Sequence, residues 1–318
     1  MTSAKVLSAA ALLGLAVAPV TAARAQAPVA ELELPTDVTA VGEDFRVTLT
    51  YRADEDVELE AWRLGPAALL LDGEPAGDRS RPDVVPLAAG STLTLELEVG
   101  ELLTEGRHRL ALDGGREHTV TAYRGLAQPP EFMTIPQGEL EGYRALFLTN
   151  RGGMLFEFFP ETAPAHVRNF LDLTASGFYE GVQFHRVSPN FMVQGGCPNT
   201  RPGGTGPWGA GQGPRQVEAE FSDRNHERGI LSMARLGDPN SATSQFFIVT
   251  RKSSQLDGQY SVFGRLVAGD DTLTRISEAQ GEVNPRDYTV RPSSPQRILR
   301  TFVLPPERRS EAPSTESR

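Results

Sequence analysis

The sequence predicts a mostly β protein: an immunoglobulin-like antiparallel β-sandwich over residues 26–125, then a closed antiparallel β-barrel capped by two helices over residues 143–303. Three observations predict it. Hydrophobic residues alternate with period two through residues 30–125, with no long helical period between the runs. After Tyr143 short strand patterns recur with one helical pattern near each end. The 318 residues are 39% hydrophobic and 23% charged, which suits about two independently buried cores and is not the composition of a disordered chain.

Residues 1–25 carry Lys5, an apolar run from Val6 to Val20, and small residues ending in Ala23-Arg24-Ala25. The run is short for a membrane span of about 20 residues and fits a cleaved export signal, so the expected location is the periplasm or cell envelope. Export permits disulfides, yet Cys197 is the single cysteine. The fold must hold without bridges.

In 26–125 the segment FRVTLTY places Phe45, Val47, Leu49 and Tyr51 on one face, and TLTLELEV does the same with Leu93, Leu95, Leu97 and Val99. VELEAW, HRLALDG and HTVTAY add further strands between Gly, Pro and Asp, for about seven in all. Residues 26–139 hold 22 acids and 9 bases, a net charge of −13, whereas residues 140–303 are near neutral. Solvated strand faces explain the acids most simply; a docking surface for a client or envelope component is the functional alternative. No basic stripe suits nucleic acid. Residues 126–142, with three prolines and two glycines, read as a linker, and residues 304–318 as a disordered tail.

In the second domain, YRALFLTNRGGMLFEFFPE reads as a hairpin around Asn150-Arg151-Gly152-Gly153. APAHVRNFLDLTASG reads as a helix with Val167, Phe170, Leu171 and Leu173 inward, Pro164 at its start and Gly177 at its stop. GVQFHRVSPNFMVQGG, GILSMAR, SQFFIVT and SVFGRLV return to strands before a second helix around DDTLTRISEAQ. Alternation puts His185 on the face opposite Arg186, and Phe246 inward of Phe247.

APAHVRNF, FHRVSPNFMVQGG, GILSMAR, DPNSATSQFFIVT and LDGQYSVFGRLVAG occur in this order, and the series resembles the cyclophilin family of peptidyl-prolyl cis-trans isomerases over about residues 143–303. The resemblance implies a cyclophilin-like barrel, with Arg186 as the catalytic arginine. It implies that Phe191, Met192, Gln194, Gln245, Phe247, Leu256 and Tyr260 line the peptide groove and proline pocket, and that Ala234 and Arg235 pair with the bound peptide backbone. Three positions depart from the usual pattern: Arg235 stands where Asn is common, Gln255 where cyclosporin-sensitive members have Trp, and Tyr260 where many have His. The resemblance does not reach the N-terminal domain.

Rotation about an X-Pro bond faces a barrier of about 18–20 kcal/mol from the partial double bond, and no bond is broken. A catalyst needs a dry pocket for the ring and a donor for the prolyl nitrogen as it becomes pyramidal. Arg186 offers an unshiftable cation, and the groove residues offer the pocket. The expected protein is therefore a monomeric, exported isomerase acting on proline-containing polypeptides during folding. A proline-binding or chaperone module with little turnover is the alternative. GTGPWG, residues 204–209, lacks the strand and helix of a nucleotide site. The five His show no ligand spacing, so no cofactor or metal is expected.

Overall fold

The computed structural model describes residues 28–80, 83–285 and 289–307. The expected export signal, residues 1–25, and residues 308–318 of the expected tail lie outside the described residues. The chain divides into two compact units, one of residues up to 34 with 42–120, the other of 35–41 with 121 onward.

The first unit is built of short antiparallel pairings. Arg46–Arg52 lies between Val29–Glu33 and Thr92–Glu98, Val57–Glu60 pairs with Val84–Leu87, and Leu69–Leu71 pairs with Gly106–Leu112. The predicted alternation is visible in Arg46–Arg52, where Val47 and Leu49 are fully buried and Tyr51 nearly so. Tyr51 also donates its hydroxyl to the Arg63 carbonyl at 2.9 Å, which satisfies the one polar group that the ring carries inward.

The second unit holds a ten-stranded sheet. Its order is Gly281–Val283, Val290–Pro292, Arg186–Ser188, Met192–Gly195, Phe246–Val249, Ile230–Met233, Val262–Ala268, Gly152–Phe158, Arg144–Thr149 and Ile298–Leu304. Its ladders are antiparallel. Beyond the ladders, the segment leading into Arg186 bonds to the one leading into Ile298: Phe184 N–H donates to Gln296 O at 2.9 Å, and Ile298 N–H to Val182 O at 2.9 Å. The hairpin forms as expected. Gly152 sits at φ +126°, and a Cβ there would lie 2.4 Å from Thr272 Oγ1, so the turn admits only glycine.

Two helices pack on this sheet, α1 (Pro164–Ala175) and α2 (Asp270–Ser277). In α1, Val167, Phe170 and Leu171 are fully buried, and Phe170 stacks on Phe147 at 5.6 Å. No side chain at its own N-terminus caps this helix. Glu220 does so from outside, accepting from the N–H groups of Ala165 and His166 at 3.0 Å each.

The 126–142 segment is not a free linker. Phe132 and Leu140 are fully buried in the core of the second unit, and Phe132 meets Tyr143 edge-on at 5.2 Å. Its prolines set off two single 3₁₀ turns, Phe132–Thr134 and Gln137–Glu139; Phe132 of the first and Leu140, just after the second, turn inward. Pro and Gly marked irregular backbone correctly, but irregular backbone need not be unpacked.

Candidate active site

Strand register assembles the site. Arg186 lies opposite Gln194, Gln194 opposite Phe247, and Phe247 opposite Ser232, a row across four neighbouring strands. Side chains directly opposite in antiparallel strands share a face. The next row, Val187, Val193, Ile248 and Leu231, is fully buried in the main core. The Arg186 row therefore faces away from that core.

Beside it lies a separate apolar cluster of Met192, Phe247, Val249 and Leu256, with Phe191, Ile230, Ala234 and Tyr260 packed around it. Met192 and Phe247 are 2% and 5% exposed, so the cluster is a largely dry surface. Phe191, Met192, Ala234, Phe247, Leu256 and Tyr260, named from the sequence, thus come together. Tyr260 meets Phe247 edge-on at 5.5 Å. Arg235 folds back over Tyr260, its guanidinium carbon 4.8 Å from the ring centroid, and donates from Nε and Nη2 to Gln259 O. Ala234 N–H is committed to Gln245 O at 2.9 Å, so a peptide pairing there must use other main-chain atoms.

The polar half is an ordered chain. Arg186 Nη1 donates to Gln194 Oε1 at 3.3 Å, Gln194 Nε2 to Gln245 Oε1 at 3.0 Å, and Gln245 Nε2 to the carbonyls of Gly209 and Gly211 at 2.8 Å each. Both amide hydrogens of Gln245 are thereby used. Gln245 orients Gln194, and Gln194 orients Arg186. The Gly-rich loop that fails as a nucleotide motif supplies the two anchoring carbonyls. Gly196 lets the backbone that carries Gln245 pack close: its φ is +85°, and a Cβ there would stand 2.3 Å from Ser244 O and 2.8 Å from Gln245 Cα.

His185 is 7% exposed, and neither ring nitrogen has a hydrogen-bond partner; Phe184, not His185, enters the main core together with Val187, so the expected strict alternation breaks just ahead of Arg186. Burial pushes its pKa down to about 4, so it is neutral at pH 7. Gln255 lies exposed beside the buried Leu256, at the rim of the cluster. His226, absent from the residues singled out in the sequence, stacks on Phe247 at 6.0 Å with the planes at 14°. No sequence spacing signals it, because its partners lie in three other segments.

The family model for the cyclophilin type peptidyl-prolyl cis-trans isomerase matches residues 145–303. The chain is 39% identical over 158 residues to peptidyl-prolyl cis-trans isomerase ppi1 of Schizosaccharomyces pombe, covering 49% of this chain and 96% of that protein. The chain belongs to the cyclophilin family. Peptidyl-prolyl cis-trans isomerase B of Bacillus subtilis is 44% identical over 132 residues, covering 41% of this chain and 88% of that protein. A crystal structure of a cyclophilin type isomerase from Cryptosporidium parvum aligns with 32% identity and a TM-score of 0.45, over 50% of this chain and 96% of that one. The matched half of this cyclophilin is thus a peptidyl-prolyl cis-trans isomerase domain, and the Arg186 row and the Phe247 cluster fall within it.

Proposed function

We propose that the chain is an exported isomerase that accelerates X-Pro rotation in folding polypeptides without covalent or acid–base chemistry. The observation that carries this reading is the placement of Arg186, held by Gln194 and Gln245, on the same face as the dry Phe247 cluster. A proline ring seated on Met192, Phe247 and Leu256 puts its imide beside a fixed cation. The guanidinium favours the pyramidal nitrogen over the planar amide, so the donor acts on the twisted state more than on the ground state. A hydrogen bond to a charged group nets about 1.5–3 kcal/mol, or roughly 10- to 100-fold in rate. Desolvation and gripping of the carbonyl supply the remainder.

The reading includes closure of the ten-stranded sheet into a barrel, supported by the bonds between residues 182–184 and 296–298. It includes an immunoglobulin-like sandwich for the first unit, supported by its antiparallel pairings. Export rests on the pattern of residues 1–25, and a cytoplasmic protein retaining Met1 would refute it. The test of the mechanism is a protease-coupled assay on a short Ala-Pro peptide. Arg186→Ala is expected to lower kcat/KM about 10- to 100-fold while the protein still melts cooperatively. Unchanged turnover in that variant would remove the arginine from the mechanism, and a wild type that binds proline peptides without turnover would make the domain a binding module.

A further inference from the structure

His226 is 1% exposed and lies behind the pocket wall. Its stack on Phe247 is fixed by hydrogen bonds on every side. Its main-chain N–H and its Nδ1 both reach Asp257 Oδ1, at 2.8 and 2.9 Å, and Nε2 lies 3.1 Å from Ser232 Oγ. Ser232 is the residue directly opposite Phe247 in the ladder. Asp257 immediately follows the 3₁₀ turn Ser254–Leu256, which carries Leu256, and Ser253 N–H donates to the His226 carbonyl at 2.9 Å. One imidazole therefore ties together both apolar walls, Phe247 and Leu256.

We propose that His226 is a positioning residue for the isomerisation: held by Asp257 and Ser232, it backs Phe247 and anchors the turn bearing Leu256, fixing the pocket that grips the substrate proline. The proposal rests on the isomerase reading above.

The hydrogens in this network can be counted. Nδ1–H donates to Asp257, whose carboxylate only accepts. With the ring neutral, Nε2 accepts the Ser232 hydroxyl. An added proton reverses that bond, and the hydroxyl must turn to Ser261 O, 3.0 Å away. Asp257 is the charged group against the ring. Lys252, itself paired with Glu227 at 2.6 Å, adds its field to Asp257 from the neighbouring turn. The flanking strands present Ser232 and Phe247, neither of which titrates. Burial pushes His226 below its ordinary range, and the Asp257 carboxylate opposes that. The ring is neutral at pH 7, and in acid a cation appears against the wall of the pocket.

The experiment measures kcat and KM on the Ala-Pro peptide from roughly pH 4 to 8, alongside the methyl resonance of Met192 in the full chain labelled at its five methionines. Met192 packs in the same cluster as Phe247 and reports the ring's position. The expected wild-type result is an acid limb in kcat/KM that the Met192 methyl follows with the same midpoint. In Asp257→Asn both midpoints move to lower pH, because the charge that favours the imidazolium is gone. His226→Phe, which keeps a ring on Phe247 but neither of the side-chain hydrogen bonds, is expected to lose about tenfold in kcat/KM at pH 7 with a native-like melt. An acid limb at the same pH in Asp257→Asn, or a Met192 methyl indifferent to the His226 titration, overturns the proposal. If the wild type shows no turnover, the isomerase reading fails, and the methyl titration alone decides whether His226 governs the pocket.

Discussion

Gln245 spends both amide hydrogens on the Gly209 and Gly211 carbonyls, which changes what it can contribute. It cannot also hold a substrate carbonyl without releasing one of them. Its effect on rate must pass through Gln194 to Arg186. Gln245→Ala is therefore expected to cost about tenfold in kcat, with a smaller change in KM, because it loosens the arginine and leaves the Phe247 cluster whole. A change confined to KM would show that Gln245 binds substrate directly. Gln255 sits at the rim instead. A Trp at that position offers a flat apolar wall to a large ligand such as cyclosporin, whereas the Gln amide loses water on burial. Weak inhibition by cyclosporin is expected for this protein, and Gln255→Trp should raise inhibitor affinity more than turnover on short peptides. Tight inhibition of the unmodified chain would place the edge of the groove elsewhere.

Single elements are held by charges brought from far along the chain. Glu220 caps α1 from 54 residues beyond His166, so the helix start depends on a loop that no local capping motif predicts. In the first unit, His108 on the strand Gly106–Leu112 places Nδ1 2.8 Å from Asp72 Oδ2 and Nε2 2.8 Å from the Thr104 carbonyl. Both partners accept, so only the doubly protonated ring satisfies both. Burial pushes the pKa of His108 down, but the bonds to Asp72 and Thr104 outweigh it and hold the value above the ordinary range. A raised histidine contributes stability that is complete below its unfolded pKa of about 6.5 and is lost as pH rises through the folded value. The melting temperature of the first unit should therefore fall as pH rises above about 6.5, and His108→Asn should flatten that slope. An unchanged slope in the variant would assign the effect to other groups.

At the scale of the whole molecule, residues 35–41 belong to the second unit although they precede most of the first. Val38 and Ala40 cover Leu146, Leu155 and Leu304, and the strand Val38–Ala40 runs parallel to Thr121–Tyr123. A fragment of residues 121–307 lacks that cover. Each aliphatic side chain re-exposed costs about 1.5–3 kcal/mol, so the fragment should melt several degrees below the protein beginning at residue 28. Its turnover on short peptides should match the longer protein, since the Arg186 row and its anchors are all retained. On a proline-limited folding protein it should be slower if the −13 charge of residues 26–139 recruits clients by raising their effective concentration. Equal rates on both substrates at low and moderate salt would leave the acidic segment no recruiting role.

The periods of the hydrophobic pattern determined both helices and most strands of the second unit, though not Gly281–Val283, Val290–Pro292 or Ile298–Leu304, because a face of period 2 or 3.6 is a property of neighbouring residues alone. The same alternation was enough to put Phe246 inward and Phe247 on the other face, but it failed ahead of Arg186, where Phe184 and Val187 both enter the core. The ordered blocks then named residues from Phe191 to Tyr260 that share one apolar cluster. What no local pattern carries is who meets whom across the chain. The burial of Phe132 and Leu140, the commitment of Gln245 to Gly209 and Gly211, the Glu220 cap and the backing of Phe247 by His226 were decided only by tertiary structure. Each joins segments whose separation is set by strand register and loop path, and a hydrogen bond forms only when that path brings donor and acceptor to about 3 Å.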